Sequence, residues 1–179
     1  MKNFTLLALF FVLYPIDAQN KFSSSKCIIN FEASVPLFEA VEAENNNVNC
    51  TLNADKGEIS FVVVIKKFQF KRNLMQEHFN SNYMESDRYS KATFKGIIEK
   101  FDLKVITEEE KDFLIKGKIT IHGQSRMITV LGKIKKAGDG IQINSNFTLN
   151  TDDFNIEIPN IVIAKISKKV NTQIVCVLN

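Results

Sequence analysis

The sequence has few of the residues on which catalysis and metal binding usually depend. Only two histidines occur in 179 residues, His78 and His122, and neither has a partner at the spacing of a His-Glu-x-x-His zinc motif. There is no Gly-x-Ser-x-Gly elbow, phosphate-binding loop or dinucleotide fingerprint. We therefore predict that the protein is not an enzyme and that its function requires no metal and no cofactor.

An excess of charge of one sign is also missing. The 23 Lys and Arg residues are nearly balanced by 20 Asp and Glu residues, which leaves a net charge of +3. The basic residues are spread along the chain, whereas a nucleic-acid-binding domain needs them clustered on one face. The composition therefore predicts no nucleic-acid partner.

Long apolar runs are absent except at the start of the chain. The apolar run Phe4–Tyr14 follows the positive start Met1-Lys2-Asn3 and precedes the small residue Ala18. This order is typical of a secretory signal peptide, and the run is shorter than the about 20 residues that span a membrane. We predict a signal peptide over residues 1–18 and one exported domain over residues 19–179, in the periplasm or secreted.

Cysteine is scarce, with three residues: Cys27, Cys50 and Cys176. An exported protein can oxidise one pair, and a closed barrel would bring the segments of Cys27 and Cys176 together. The preferred interpretation is that the cysteines are buried free thiols that pack as small apolar side chains. A Cys27–Cys176 bridge is the alternative.

The sequence is rich in short segments of Ile, Val, Phe and Thr that are bounded by Gly, Asn and Asp, as β-strands are. The eight predicted strands are Cys27–Ala33, Val48–Leu52, Glu58–Phe68, Thr93–Ile106, Asp112–His122, Arg126–Lys136, Ile141–Asn150 and Val170–Leu178. Apolar and polar residues alternate in several of them, which predicts one dry and one wet face. Short connections make neighbouring strands antiparallel, so the chain is all-β, either a closed barrel or two packed sheets.

Two segments interrupt the strands. Residues 71–88 carry helical spacing, with Asn73 as the predicted N-cap. The residues predicted to share one face are Leu74, Met75, His78 and Phe79. Residues 155–169 contain Pro159, which ends a strand, and Ile161–Ile166 is compatible with either a short helix or an extended segment.

Several blocks of the sequence occur in an order that is typical of one family. These blocks are Phe68–Lys71, Leu74–Asn80, Asn82–Ser86, Tyr89, Lys91–Gly96, Lys116–Gly123, Asp153–Ile156 and the closing segment Val170–Leu178. With their spacing, they make the chain resemble the YceI-like family over essentially all of residues 19–179. The resemblance implies an extended, eight-stranded, lipocalin-like antiparallel barrel with one or two short helices. It also implies a periplasmic or secreted protein that holds a polyisoprenoid or similar long-chain amphiphile.

The aromatic composition fits a lipid-binding interior. There are 15 Phe and no Trp, and Phe supplies apolar area without a polar atom that needs a partner. The residues predicted to line the interior are Phe61, Val63, Ile65, Phe94, Phe101, Phe113, Ile115, Ile119, Ile143, Phe147 and Ile174. Composition alone is equally compatible with a solid core, in an envelope-stress or interaction protein without a ligand, and the family resemblance favours a hollow barrel.

The mouth of such a barrel is predicted to lie near the helical segment. The residues predicted to contact a ligand there are Met75, His78, Phe79, Tyr83, Tyr89 and His122, with Met84 beside them. Packing of the helix on the barrel is the alternative for Met75 and Phe79, and a ring bonded to the backbone of a turn is the alternative for His122. Nearby, Lys66, Lys67, Lys71 and Arg72 suit either transient contact with a membrane surface or a solvated edge.

Overall fold

The strands close into an antiparallel barrel. The computed structural model describes residues 20–179, and the predicted signal peptide over residues 1–18 lies outside them. The strands are β1 (Lys21–Ser34), β2 (Glu42–Asn53), β3 (Glu58–Val64), β4 (Gln69–Phe70), β5 (Lys91–Ile98), β6 (Lys111–Ile121), β7 (Gln124–Ala137), β8 (Gly140–Asn150) and β9 (Ile166–Leu178). The order around the barrel is β1-β9-β8-β7-β6-β5-β3-β2, and a β1–β2 pairing closes the circle. Strand β4 is a short addition that pairs with β2 at Ala43 and Glu44, beyond the β2–β3 pairing at residues 49–53. The predicted eight-stranded antiparallel barrel is therefore confirmed.

Alternation along the strands places the apolar side chains inside. In β6, Ile115 and Ile119 are buried while Lys116 and Lys118 are exposed, and in β8 the residues Ile141 and Ile143 are buried. One face of each strand thus points to the barrel axis, as the period of two predicts. Among residues 20–179, no helix has the length and hydropathy that a membrane crossing would need.

Strand β2 begins six residues earlier than predicted, at Glu42. The polar run Glu44–Asn47 has the composition of a loop, yet it belongs to the ladder. Asn45 is fully buried, its side-chain amide donates to the Val64 carbonyl oxygen at 3.0 Å, and its Oδ1 accepts from the Asn47 N–H. These bonds satisfy the buried amide, so a polar residue is accommodated where the pattern predicts none.

Strands β3 and β5 end earlier than predicted. Val64 is the last residue of β3 because its partner across the ladder, Lys91, is the first residue of β5. A single 3₁₀ turn (Ile65–Lys67) follows. After β5, Lys100 adopts a left-handed backbone and Asp102 caps a second 3₁₀ turn (Leu103–Val105) by accepting from the Lys104 N–H. The predicted strand Thr93–Ile106 is therefore wrong beyond Ile98.

The two interruptions differ in part from their predictions. Helix α1 (Asn73–His78) continues into one π-helical turn (Phe79–Tyr83), so the helical segment is confirmed. Asn73 is not its N-cap, because Arg72 holds that position and no side chain caps the helix. After β8, a 3₁₀ turn (Thr151–Phe154) leads into a series of turns, so Ile161–Ile166 is neither a helix nor, before Ile166, a strand.

The cysteines join the first and last strands. Cys27 and Cys176 form a disulfide, so the preferred interpretation of three free thiols is wrong for this pair. The reason is the register: Ile28 pairs with Val175, which brings Cys27 opposite Cys176 with 4.3 Å between their Cα atoms. Cys50 is free and buried, as the preferred interpretation has it, and burial raises the pKa of its thiol to about 12.

The barrel has two different ends. The closed end is formed by the connections 54–57, 99–110 and 138–139, and the open end by 35–41, 65–90, 122–123 and 151–165. Most of the large apolar side chains that are almost completely buried lie in the half of the barrel next to the closed end, among them Leu52, Ile59, Ile98, Ile134, Ile141 and Leu178. This half has a solid apolar core.

A pair of glycines brings strands β5 and β6 close to an aromatic ring. Gly96 and Gly117 are cross-strand partners, and a Cβ on Gly117 would lie 2.4 Å from the Lys95 carbonyl oxygen and 2.6 Å from the Phe94 ring. We expect Gly117→Ala to lower the free energy of unfolding by about 1–3 kcal/mol, as overpacking does. Urea denaturation measures this loss. Lys118→Ala on the exposed face is the control and should change stability by less than about 0.5 kcal/mol; equal losses would contradict the prediction.

Candidate functional site

The open half of the barrel is hollow. A cavity of about 780 Å³ extends inward from the open end. Phe38 and Leu74 line it and are nevertheless 46% and 61% exposed, so it reaches solvent between the connections 35–41 and 65–90. Its volume lies within the range of about 300–1,000 Å³ that is common for ligand pockets. The barrel is thus solid in one half and hollow in the other.

Thirteen of the seventeen predicted ligand-contacting residues line this cavity. They are Phe61, Val63, Ile65, Met75, His78, Phe79, Tyr83, Phe94, Ile115, Ile119, Ile143, Phe147 and Ile174. The strand residues form the wall, while the residues of α1 and the turn after it lie at the mouth. His78 is exposed there, and Met84, which adjoins the same turn, is buried against the cavity.

The wall also contains an aromatic cluster, of which the prediction included Phe79 alone. Phe31, Phe68 and Phe70 surround Phe79, with ring centroids 5.6, 5.7 and 5.0 Å from the Phe79 centroid, respectively. All four line the cavity. Phe31 could have been found, since Cys27, Ile29, Phe31 and Ala33 alternate along the first predicted strand. The cluster holds α1 over the mouth, because packed aromatic rings stabilise one another beyond the contribution of the apolar area that they bury.

Four predicted residues lie outside the cavity. Phe101 and Phe113 pack together at the closed end, with 6.0 Å between their ring centroids, and contribute to the solid core. Tyr89 and His122 pack on each other at the open end, with 4.4 Å between their centroids. The prediction of ligand contact is therefore kept only for the thirteen residues that line the cavity.

His122 connects three elements of the open end. It occupies the β6–β7 hairpin turn with a left-handed backbone, followed by Gly123 with the same conformation. Its Nδ1 lies 3.1 Å from the Phe154 carbonyl oxygen, and its Nε2 lies 3.1 Å from Glu85 Oε1. The ring is thus bonded to the backbone of another segment, and it holds the connections 65–90 and 151–165 against the hairpin.

The titratable groups of the cavity lie at its mouth. The lining side chains of this kind are Glu39, His78, Tyr83 and Lys165, all in connections of the open end. Glu39 forms an ion pair with Arg72 at 2.5 Å. Tyr83 is half-buried, and its burial raises the pKa of the phenol. The arrangement suits an amphiphile with an apolar chain inside and a polar end at the mouth.

Three of the four basic residues near α1 form ion pairs. Lys66 contacts Asp87 at 2.5 Å, Lys71 contacts Glu42, and Arg72 contacts Glu39. All three cations are exposed. Exposed ion pairs of this kind contribute little to stability. Because these carboxylates neutralise three of the four basic side chains, less positive charge is available for contact with a membrane surface than the sequence predicts.

A family model identifies the chain. The model of the YceI-like domain matches residues 15–178. The chain belongs to the YceI-like family. A search among curated proteins finds no match.

Solved structures agree with the YceI-like fold. A polyisoprenoid-binding domain from Saccharophagus degradans aligns with a TM-score of 0.77 at 14% identity, over 90% of this chain and 98% of that one. BcnA from Burkholderia cenocepacia aligns with a TM-score of 0.70 at 13% identity, over 86% and 96%. The YCEI protein of Campylobacter jejuni aligns with a TM-score of 0.52 at 16% identity, over 99% and 98%. At these identities the likeness shows the shared barrel.

Proposed function

We propose that this YceI-like protein is an exported binding protein that holds a polyisoprenoid or similar long-chain amphiphile and catalyses no reaction. The single observation that carries the proposal is the cavity of about 780 Å³ in the open half of the barrel. Its wall is formed almost entirely by apolar side chains, among them Phe31, Phe61, Phe68, Phe94 and Phe147. Burying about 400 Å² of apolar ligand surface would contribute on the order of 10 kcal/mol before the entropic costs of binding.

The solid-core alternative loses its physical basis in the open half. A protein whose function needs only a stable barrel gains from a filled interior, because dispersion contacts are lost around a void. Here the residues at the closed end already form a complete core, and the cavity lies beyond them. The structural neighbour from Saccharophagus degradans is a polyisoprenoid-binding domain, which supports the same class of ligand for this chain.

Three observations support export and a role in storage, transport or sequestration. The order of residues 1–18 is that of a secretory leader. The Cys27–Cys176 disulfide suits an oxidising compartment such as the periplasm or the extracellular medium. Binding without turnover also agrees with the absence of a catalytic motif in the sequence.

Extraction of the native protein with organic solvent, followed by mass spectrometry, tests the proposal. We expect a long-chain lipid in about equimolar amount, and we expect the stripped protein to bind added prenyl lipids again. Repeated native preparations without lipid, together with no binding of added prenyl lipids, would refute it.

A further inference from the structure

The mouth of the cavity has an aromatic part and a part that carries polar groups. The aromatic cluster of Phe31, Phe68, Phe70 and Phe79 forms the aromatic part. Another part of the rim is the connection 151–165, which begins with Thr151 and ends with Lys165, and both of these residues line the cavity. This connection joins the neighbouring strands β8 and β9, so both of its ends belong to the same sector of the rim.

Thr151 has an unused hydroxyl. The side chain is only 8% exposed, and its Oγ1 has no hydrogen-bond partner within residues 20–179. Buried polar atoms in native proteins nearly always have a partner, so such an atom needs an explanation. A ligand atom that accepts a hydrogen bond would supply one, since the residue lies on the cavity wall.

Lys165 has an unused charge. Of the charged side chains that line the cavity, Glu39 is already neutralised by Arg72, whereas Lys165 forms no ion pair with any residue that the structure describes. Its neighbour Lys168 differs, because it contacts Asp152 at 3.0 Å and does not line the cavity. Among residues 20–179, Lys165 is therefore the free Lys or Arg side chain that lines the cavity, and its ammonium offers three donors to an anion.

The geometry points to a head-group subsite: the bound lipid ends in an acidic oxygen group, a carboxylate or a phosphate, that accepts hydrogen bonds from the Lys165 ammonium and the Thr151 hydroxyl. This inference rests on the proposed function, since it assigns the polar end of the lipid that the cavity holds. The apolar chain enters past the aromatic cluster, and the charged end stays at the rim, where water reaches it. Hydrogen bonds to a charged acceptor are stronger than those to a neutral one, so the subsite favours acids over alcohols.

Two pairs of lipids with matched chains test the subsite: oleic acid with oleyl alcohol, and geranylgeranyl phosphate with geranylgeraniol. Titration calorimetry on the full, stripped protein gives the affinities. We expect at least one acid to bind about tenfold or more tightly than its alcohol, a ratio that corresponds to one charge-assisted hydrogen bond. The pair that shows the larger ratio identifies the carboxylate or the phosphate as the preferred head group.

Variants assign the preference to residues. Lys165→Met should reduce the ratio of acid to alcohol affinity to near one, and Thr151→Val should reduce it several-fold, because a charged acceptor loses more than a neutral one when the Thr151 donor is removed. Lys168→Met is the matched control and should keep the ratio of the parent protein. Circular dichroism confirms that each variant is folded.

The outcomes separate the two proposals. Equal affinities for acids and alcohols in the parent protein would overturn the subsite and leave the lipid-binding function intact. An undiminished acid preference in Lys165→Met would likewise overturn it. No binding of any of the four lipids would instead count against the proposed function itself.

Discussion

Ala92→Trp is expected to lower the affinity for a long-chain lipid by at least about 100-fold, which corresponds to about 2.7 kcal/mol. Ala92 lies on the inner face of β5 near the open end and lines the cavity. An indole there would occupy the space that the lipid chain needs. Because the space is empty in the protein itself, we expect the free energy of unfolding to change by less than about 1.5 kcal/mol.

Lys95→Trp is the matched control, since Lys95 is exposed on the outer face of the same strand. It adds the same side chain outside the barrel and should leave lipid affinity unchanged. Displacement of a fluorescent fatty acid measures affinity, and urea denaturation measures stability. A large loss of stability in Ala92→Trp, without a change in binding, would mean that the lipid does not occupy the cavity.

Removal of the disulfide by the double substitution Cys27→Ala and Cys176→Ala should lower the free energy of unfolding by about 2–5 kcal/mol. The bridge links residues 149 positions apart and joins the two strands, β1 and β9, whose pairing is part of the closed barrel. Without it, the unfolded chain gains the freedom of a very long loop. Urea denaturation of the variant and of the parent, each without reductant, measures the difference.

Cys50→Ala is the control for the disulfide, because it removes a buried sulfur and leaves the bridge intact. We expect it to cost about 1 kcal/mol, as the loss of a small buried group does. A thiol assay of the unreduced parent protein in denaturant should find one free thiol per chain. Three free thiols, or equal losses in the two variants, would contradict the prediction.

Much of the barrel could be predicted because alternation is a local property. The polar neighbours of a residue such as Ile115 or Ile119 show that it lies on the inner face of the sheet. Short hairpins fix the direction of the next strand. Strand ends are different, since the end of β3 depends on where β5 begins and the start of β2 depends on the bonds of the buried Asn45. Strand ends are therefore set by contacts between residues that are distant in sequence, which the local pattern does not show.

The same distinction explains the cysteines and the site. Cys27 and Cys176 pair because of the register between β1 and β9, which no local pattern fixes. Phe113 faces inward as predicted, but it lies at the closed end, because alternation gives the face of a residue and not its height along the barrel axis.

Thr151 and Lys165 could not be predicted as lining residues at all. They belong to a connection whose β-branched composition leaves its conformation ambiguous, and its path is set by contacts with β7, β8 and β9. A polar group that faces a cavity from such a connection gives no signal in the sequence. Most of the lining residues on the strands and on α1 were therefore predictable, and those on the connection 151–165 were not.

The uneven filling of the barrel has a consequence for how such a protein can diverge. Side chains at the closed end are constrained by one another, so a change of volume there must be matched by a neighbour. Side chains around the cavity face empty space, and a single exchange among them can alter the size of the guest while the scaffold persists. Ligand selectivity can therefore change by single substitutions while the barrel fold is retained.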